Sequence, residues 1–326
     1  MSNQNVIIGI DCGATKVMAQ SALFDAETGL VSPGEFHREI NYANHPNWNS
    51  NFIPVHLDIQ RQEFSEGTIN LTEPEMDQGD VIVETIQDVL LNPSFVPPFK
   101  NGDAEGFNKK IALCFPGIKN KHGVVIMANG PRIPELYSRI EIEQAYHDSD
   151  CCVLGEWQST IGQLTTCKNA IYIGGGTGIA DGIILNDEII DFNKRDDVKR
   201  SWELIMDSGQ SVESLLSPKG ILTHWNSSQS NQVNTLTELL SLKIASPFLE
   251  QIADTFSFLI ENRCQFFQKQ NAMIEKIVIG QRLGIALEQS ESPLRHLIEE
   301  KTSIPIVYSM DRRTAALGAA WKKACS

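Results

Sequence analysis

Positive charge is scarce in this chain. Lys plus Arg total 27 against 41 Asp plus Glu, a formal net charge of −14 with a pI near 5.0. A surface of that sign repels phosphate backbones and lacks the electrostatic footprint of a nucleic-acid binder. Long apolar runs are missing too, and no stretch reaches the ~18 residues of a membrane span. The opening "MSNQNVIIGID" has neither the basic region nor the long apolar core of a signal peptide, so the cytoplasm is the expected location. The seven cysteines (Cys12, Cys114, Cys151, Cys152, Cys167, Cys264, Cys325) form no Cys-x-x-Cys. Reduced thiols are expected, not a disulfide frame or a structural zinc site. Internal repeats and low-complexity tracts are also absent. What is present is an ordinary globular composition, 41% hydrophobic over 326 residues. At ~150 residues per domain, that length predicts two domains.

Patterning predicts alternating β and α elements, hence an α/β protein. Residues 6–11 form a short apolar β run ending on Asp11, 13–15 a turn, and 16–24 a second strand. The polar stretch 36–78 reads as a surface insertion with a strand near 52–59. Helical spacing marks 81–91, 95–108 is a loop, and the strand 110–115 stops at Pro116-Gly117. A helix is predicted over 140–146, a strand over 151–154 and a helix opening at 157–163. Strands at 170–173 and 182–185 flank a glycine-rich turn. Helices are predicted at 202–216 and 236–268, then a strand at 276–279 entering Gly280. A helix at 294–301, a strand at 305–308 and a closing helix at 314–325 complete the chain. Two glycine-turn hairpins, one early and one mid-chain, suggest two similar halves.

The turn in "IGGGTGIADGII" (173–184) has several phosphate-binding readings. A Walker loop needs Gly-Lys-Ser/Thr, and this chain has no Gly-Lys dipeptide. A Rossmann loop needs G-x-G-x-x-G opening a helix. Here Asp181 falls at the third glycine and a strand follows. What remains is a strand–turn–strand whose amides face phosphates, with glycine permitting close backbone approach. A tight hairpin without a ligand is the bland alternative, but four glycines in five residues (174–178) exceed what a turn needs. Asp11 is likewise either a surface turn aspartate or a carboxylate facing phosphates through a divalent cation. The second glycine turn favours the ligand reading for both.

These motifs resemble the actin-like ATPase superfamily, and most closely the ROK sugar kinases. "VIIGIDCGATKVMAQSALFDAETG" is similar to the phosphate-1 hairpin, and "IALCFPGIKNKHGVVIMANGPRIPEL" to the strand, Pro-Gly turn and Asn loop that hold the sugar. "CCVLGEWQSTIGQ" resembles the entry to the catalytic carboxylate, and "AIYIGGGTGIADGIILND" phosphate-2. "SWELIMDSGQSVESL" resembles the helix after the family's zinc loop, "IEKIVIGQRLGIAL" the adenosine motif, and "DRRTAALGAAW" the closing helix. Seven motifs occur in family order, leaving out only about 30–100.

The resemblance implies a two-lobed, ribonuclease H-like fold with an interdomain cleft. The small lobe is expected at 1–127 plus 304–326 and the large lobe at 128–303. It implies an ATP-dependent sugar kinase using Mg²⁺, with a hexose or amino sugar as substrate and a homodimer as a conceivable assembly. Asp11 would hold the metal. Gly13, Ala14, Thr15 and Lys16 would face phosphate, Gly175, Gly176, Thr177 and Gly178 would cradle it, and Gly280 and Gln281 would lie at adenosine. Pro116, Gly117 and Asn129 would contact the sugar.

The chain also departs from the family pattern. Aligned on the strand expected at 151–154, the family's Asn-Asp base pair becomes Gly155-Glu156. Glu156 is therefore the expected base and sugar contact, against the alternative of a first-turn helix glutamate. Asp148 and Asp150 are secondary candidates. The stretch "EIIDFNKRDDVKRS" (188–201) has no His or Cys, so no zinc is expected, and Trp202 stands where a zinc cysteine would fall. The family's sugar-binding Glu and His are missing as well. Asp181 replaces a phosphate-2 glycine, placing extra negative charge near phosphates, and Gln281 replaces the second glycine of the adenosine motif. These losses motivate an alternative, a non-catalytic nucleotide or sugar sensor, and a third reading, an ATPase acting on a partner protein.

Overall fold

The computed structural model describes residues 5–90, 110–242, 245–289 and 292–326. The loop expected at 95–108 lies outside them. By its internal contacts the chain divides into two units, Met1–Ile161 with Arg313–Ser326, and Gly162–Arg312.

In unit 1 the strands are β1 (Asn5–Cys12), β2 (Lys16–Phe24), β3 (Val31–Asn41), β4 (Ile111–Phe115), β5 (Ile118–Lys119), β6 (Val124–Ile126) and β7 (Ala145–His147). The main sheet runs β3-β2-β1-β4-β7. β1–β2 and β2–β3 are antiparallel, and β1–β4 and β4–β7 are parallel. Its helices are α1 (Leu57–Glu66), α2 (Glu73–Leu90), α3 (Leu136–Arg139), α4 (Asp148–Gln158) and, from the C-terminal segment, a closing helix at Thr314–Ala324. In unit 2, β8 (Ala170–Gly175), β9 (Ile179–Leu185), β10 (Glu188–Ile189), β11 (Lys276–Gly280) and β12 (Ile306–Tyr308) form a sheet ordered β10-β9-β8-β11-β12. Its antiparallel and parallel pairings repeat those of unit 1. The helices of unit 2 are α5 (Val212–Leu216), α6 (Pro218–Ser228), α7 (Leu236–Leu240), α8 (Ser246–Lys269), α9 (Gln281–Gln289) and α10 (Pro293–Glu300). The closing helix is α11. The fold is α/β with the same sheet topology twice, as the two hairpins suggested.

Several local expectations are corrected. No strand forms near 52–59; α1 is there, started at His56 and ended by Gly67 at φ 73. The strand and helix expected at 140–154 are exchanged, for β7 is the strand and 151–154 lie inside α4. Cys151-Val153 are buried to 1% exposure or less because α4 is packed against α11 and β4. A short, wholly apolar run does not distinguish a buried strand from a buried helix. Asp148 and Asp150 in the first turn suit the positive end of the helix dipole. The helix expected at 202–216 is confined to α5, because 205–211 close a hairpin around Gly209 at φ 79 and Ser211 caps the next turn. Pro247 at the start of α8 separates it from α7.

The unit boundary at 161/162 differs from the expected 127/128 because β7 pairs with β4 and α4 packs on α11. The boundary at 312/313 differs from 303/304 because β12 pairs with β11.

Candidate active site

In unit 1, strand register decides which residues meet. Asp11 is opposite Cys114, and Cys114 is opposite Tyr146. The C-terminal ends of three parallel strands therefore deliver Asp11, Pro116-Gly117 and His147-Asp148 to one edge of the sheet. That edge is where open α/β sheets place their chemistry.

Asp11 is half-buried and accepts a hydrogen bond from the Cys114 thiol at 3.6 Å. Its charge acts on its neighbours. Burial, then Asp11, push the Cys12 thiol well up. A hydrogen bond with Cys151, burial and the nearby charges, Asp11 among them, do the same for Cys114. The turn after β1 closes with Gly13 N donating to the Lys16 carbonyl at 3.0 Å, and Thr15 accepts from Tyr42 N at 3.0 Å. Ala14 is half-buried and Thr15 exposed. Lys16 is ion-paired to Glu39 on β3, so its charge is engaged within the sheet.

Gly117 has φ 84, and a Cβ there would sit 2.4 Å from the Ile126 carbonyl. The Pro116-Gly117 turn thus packs on the strand that leads to Asn129, which is exposed in the bend after β6. Lys119 donates to the Gly117 carbonyl at 2.9 Å and lies 3.3 Å from His147 Nδ1. Burial lowers its pKa, against the opposing charge of Asp148.

Glu156 is not at this edge. It lies in the body of α4 at 1% exposure. The sequence alignment on a strand at 151–154 put the base there. β7 is the strand, and the carboxylate that follows it is Asp148, half-buried at the start of α4. The signal was a carboxylate immediately after a short β segment.

In unit 2, β8 and β9 form the second hairpin. Gly176 N donates to the Gly178 carbonyl at 2.9 Å, and Ile179 N donates to Glu213 on α5 at 2.9 Å. Gly176, Thr177 and Gly178 are half-buried, and Gly175 is buried within β8. Gly174 pairs with Gly280 across β8–β11, and Gly175 bridges to Gln281. The glycine turn at 174–178 and the start of α9 thereby meet. A Cβ on Gly174 would lie 2.7 Å from the Tyr172 ring and one on Gly280 2.7 Å from its hydroxyl, so that side chain fills the space beside both glycines. Gln281 takes φ 58, the left-handed conformation where a glycine was expected, and its Oε1 would touch a Cβ on Gly176 at 2.9 Å.

Asp181 does not add free negative charge to the turn. It accepts from Arg263 at 3.1 Å and from Ser201 N and Oγ at 2.7 Å, all buried. Arg263 also donates to the Lys199 carbonyl at 2.6 Å. The segment at 199–201 is therefore pinned to β9 and α8. Trp202 beside it is 47% exposed. Among the described residues, no group of three His, Cys, Asp or Glu is placed to hold a metal ion. No described helix is long and apolar enough to cross a membrane.

Solved structures align over nearly the whole chain. A ROK-family glucokinase from Streptomyces griseus, in complex with glucose and AMPPNP, is 13% identical at a TM-score of 0.59, covering 97% of this chain and 98% of that one. The chain has the ROK sugar-kinase fold. A ROK hexokinase from Thermus thermophilus matches at 14% identity and a TM-score of 0.56, with 97% of each chain covered. The same fold appears in a ROK-family transcriptional regulator, a homologue of the E. coli MLC protein, at 15% identity and a TM-score of 0.54, covering 98% of this chain and 78% of that chain. No protein-family model matches the sequence, and no curated protein matches it.

Proposed function

We propose that this chain is an ATP-dependent kinase that phosphorylates a hydroxyl of a small sugar, with Asp148 as general base. The observation that carries the reading is the strand register that brings Asp11, Pro116-Gly117 and Asp148 to one sheet edge. Phosphoryl transfer rests on positioning and charge neutralisation more than on covalent chemistry, and a ROK-fold glucokinase holding glucose and AMPPNP has the matching architecture.

Asp148 would accept the proton of the attacking hydroxyl. A half-buried carboxylate can do so, and one at 1% exposure inside a helix cannot meet a sugar. Asn129, Pro116 and Gly117 would orient the sugar. Asp11 would hold Mg²⁺, and it suits a hard cation, being a half-buried carboxylate oxygen donor at the end of β1. The metal would supply neutralisation of phosphate charge. In unit 1 the turn at Gly13–Lys16 would present amides to phosphate, and in unit 2 the turn at Gly175–Gly178 would do the same. Hexoses and amino sugars are the substrate classes to test, and the cytoplasm is the expected compartment.

Glu213 favours the second reading, a non-catalytic binder. Its carboxylate occupies the Ile179 amide in the turn where phosphate would bind. One experiment addresses both: calorimetry with Mg-ATP, then turnover on a panel of hexoses and N-acetyl amino sugars. Turnover supports the kinase, and ATP or sugar binding without turnover supports the sensor. In an active enzyme, Asp148→Asn should lower kcat by ~10²–10⁴-fold, while Glu156→Gln should retain kcat in the fraction that folds. The reverse pattern restores Glu156 as the base.

A further inference from the structure

The polar insertion at 36–78 has a role that its composition conceals. We propose that α1 and the start of α2 position the Asn129 loop, so that Gln60, Glu63, Glu75 and Arg132 are positioning residues for the sugar acceptor. The inference rests on the reading of that loop as the acceptor site.

The loop is closed at its base by a reciprocal pair, Val124 N to the Ile133 carbonyl and Ile133 N to the Val124 carbonyl, both at 2.9 Å. Within it, each shoulder of the exposed Ala128-Asn129 step is held from the insertion. On one side Gln60, at 0% exposure, behaves as a strand would. Its Oε1 accepts from Met127 N at 2.8 Å, and its Nε2 donates to the Met127 carbonyl at 3.0 Å. The same amide donates to the Val55 carbonyl at 2.6 Å, which fixes its rotamer.

On the other side Arg132, at 1% exposure, donates through Nε and Nη2 to both oxygens of Glu75 at 2.8 Å. Glu75 also accepts from Arg132 N at 3.2 Å. Glu63 on α1 pairs with the same guanidinium, which in addition donates to the Asn70 carbonyl at 3.1 Å. A fork-to-fork pair fixes direction as well as distance, which a lysine cannot reproduce. Burying one cation with two carboxylates is a poor route to stability alone. Its placement at one shoulder, with Gln60 at the other, leaves four residues, 128–131, between two fixed points. A loop held this way presents Asn129 in one geometry, and displacement of a substrate contact by ~1 Å can cost ~100-fold. Insertion residues thus decide which acceptor the loop fits.

The test uses the full chain. Gln60→Leu removes one anchor, Arg132→Lys weakens the other while keeping charge, and Gln62→Leu on the exposed face of α1 is the control. Hydrogen–deuterium exchange without ligand should rise in 127–133 for the first two variants and not for the control. For the sugar that gives best turnover in the panel, KM should rise about tenfold or more in the folded fraction of each variant, with KM for ATP nearly unchanged. Unaltered exchange in 127–133 overturns the proposal, as does an equal rise in both KM values. Should the wild type phosphorylate no sugar, the exchange measurement alone decides the anchoring, and the kinase reading falls separately.

Discussion

Two carboxylates on one helix, Asp148 and Glu156, divide by burial, and the proposed choice of Asp148 as base rests on that difference. The same residue-scale logic applies to Gln281. A left-handed backbone costs a side-chain-bearing residue roughly 1–2 kcal/mol, and Gln281 holds φ 58 at the junction of β11 and α9. Gln281→Gly should therefore leave stability unchanged or raise it, and Gln281→Val should lose ~1–2 kcal/mol or more, β-branching being least tolerant there. Urea denaturation monitored by circular dichroism measures both. A stable valine variant would show that the conformation is not imposed by the fold.

At the scale of elements, two contacts stand out. The Asp181–Arg263 pair, itself buried, joins β9, α8 and the segment at 199–201. Removing one partner leaves the other charged and buried, a loss of about 3–5 kcal/mol. Arg263→Met should show that loss in thermal unfolding, and Asp181→Leu with Arg263→Met should recover part of it. A double variant no better than the single one would place the loss in packing. The second contact is α4 on α11. A Cβ on Gly155 would sit 1.7 Å from the Thr314 carbonyl, and one on Gly318 1.9 Å from that of Cys151. Gly→Ala in an exposed helix gains about 1 kcal/mol. Here the clash with backbone reverses the sign, and Gly155→Ala should lose about 1–3 kcal/mol. A gain in melting temperature would mean the helices are free to separate.

At the scale of the whole molecule, the chain leaves unit 1 and returns to it. Unit 2 is one continuous segment, Gly162–Arg312, with its own core around Ile171, Ile279 and Phe256. Unit 1 needs its last segment, because α11 packs along β1, β4 and α4. A fragment spanning 162–312 should unfold as one cooperative transition, whereas a chain ending at 312 should lose the cooperative unfolding of unit 1. Differential scanning calorimetry separates these outcomes, and a non-cooperative 162–312 fragment would contradict the division.

Local chemistry alone determined much of this protein. The β1–β2 hairpin, the glycine turn at 174–178 and the order of motifs follow from short-range alternation and turn residues, which need no partner to be recognised. They were enough to expect an α/β chain with a duplicated hairpin. Tertiary structure decided the rest. Cys151–Leu154 is apolar throughout, and only its position between a sheet and α11 makes it a helix, which moves the candidate base from Glu156 to Asp148. Gln60 and Arg132 look like ordinary loop and insertion residues in sequence. Their partners lie 67 and 57 residues away, and a contact that distant exists only once the chain has closed.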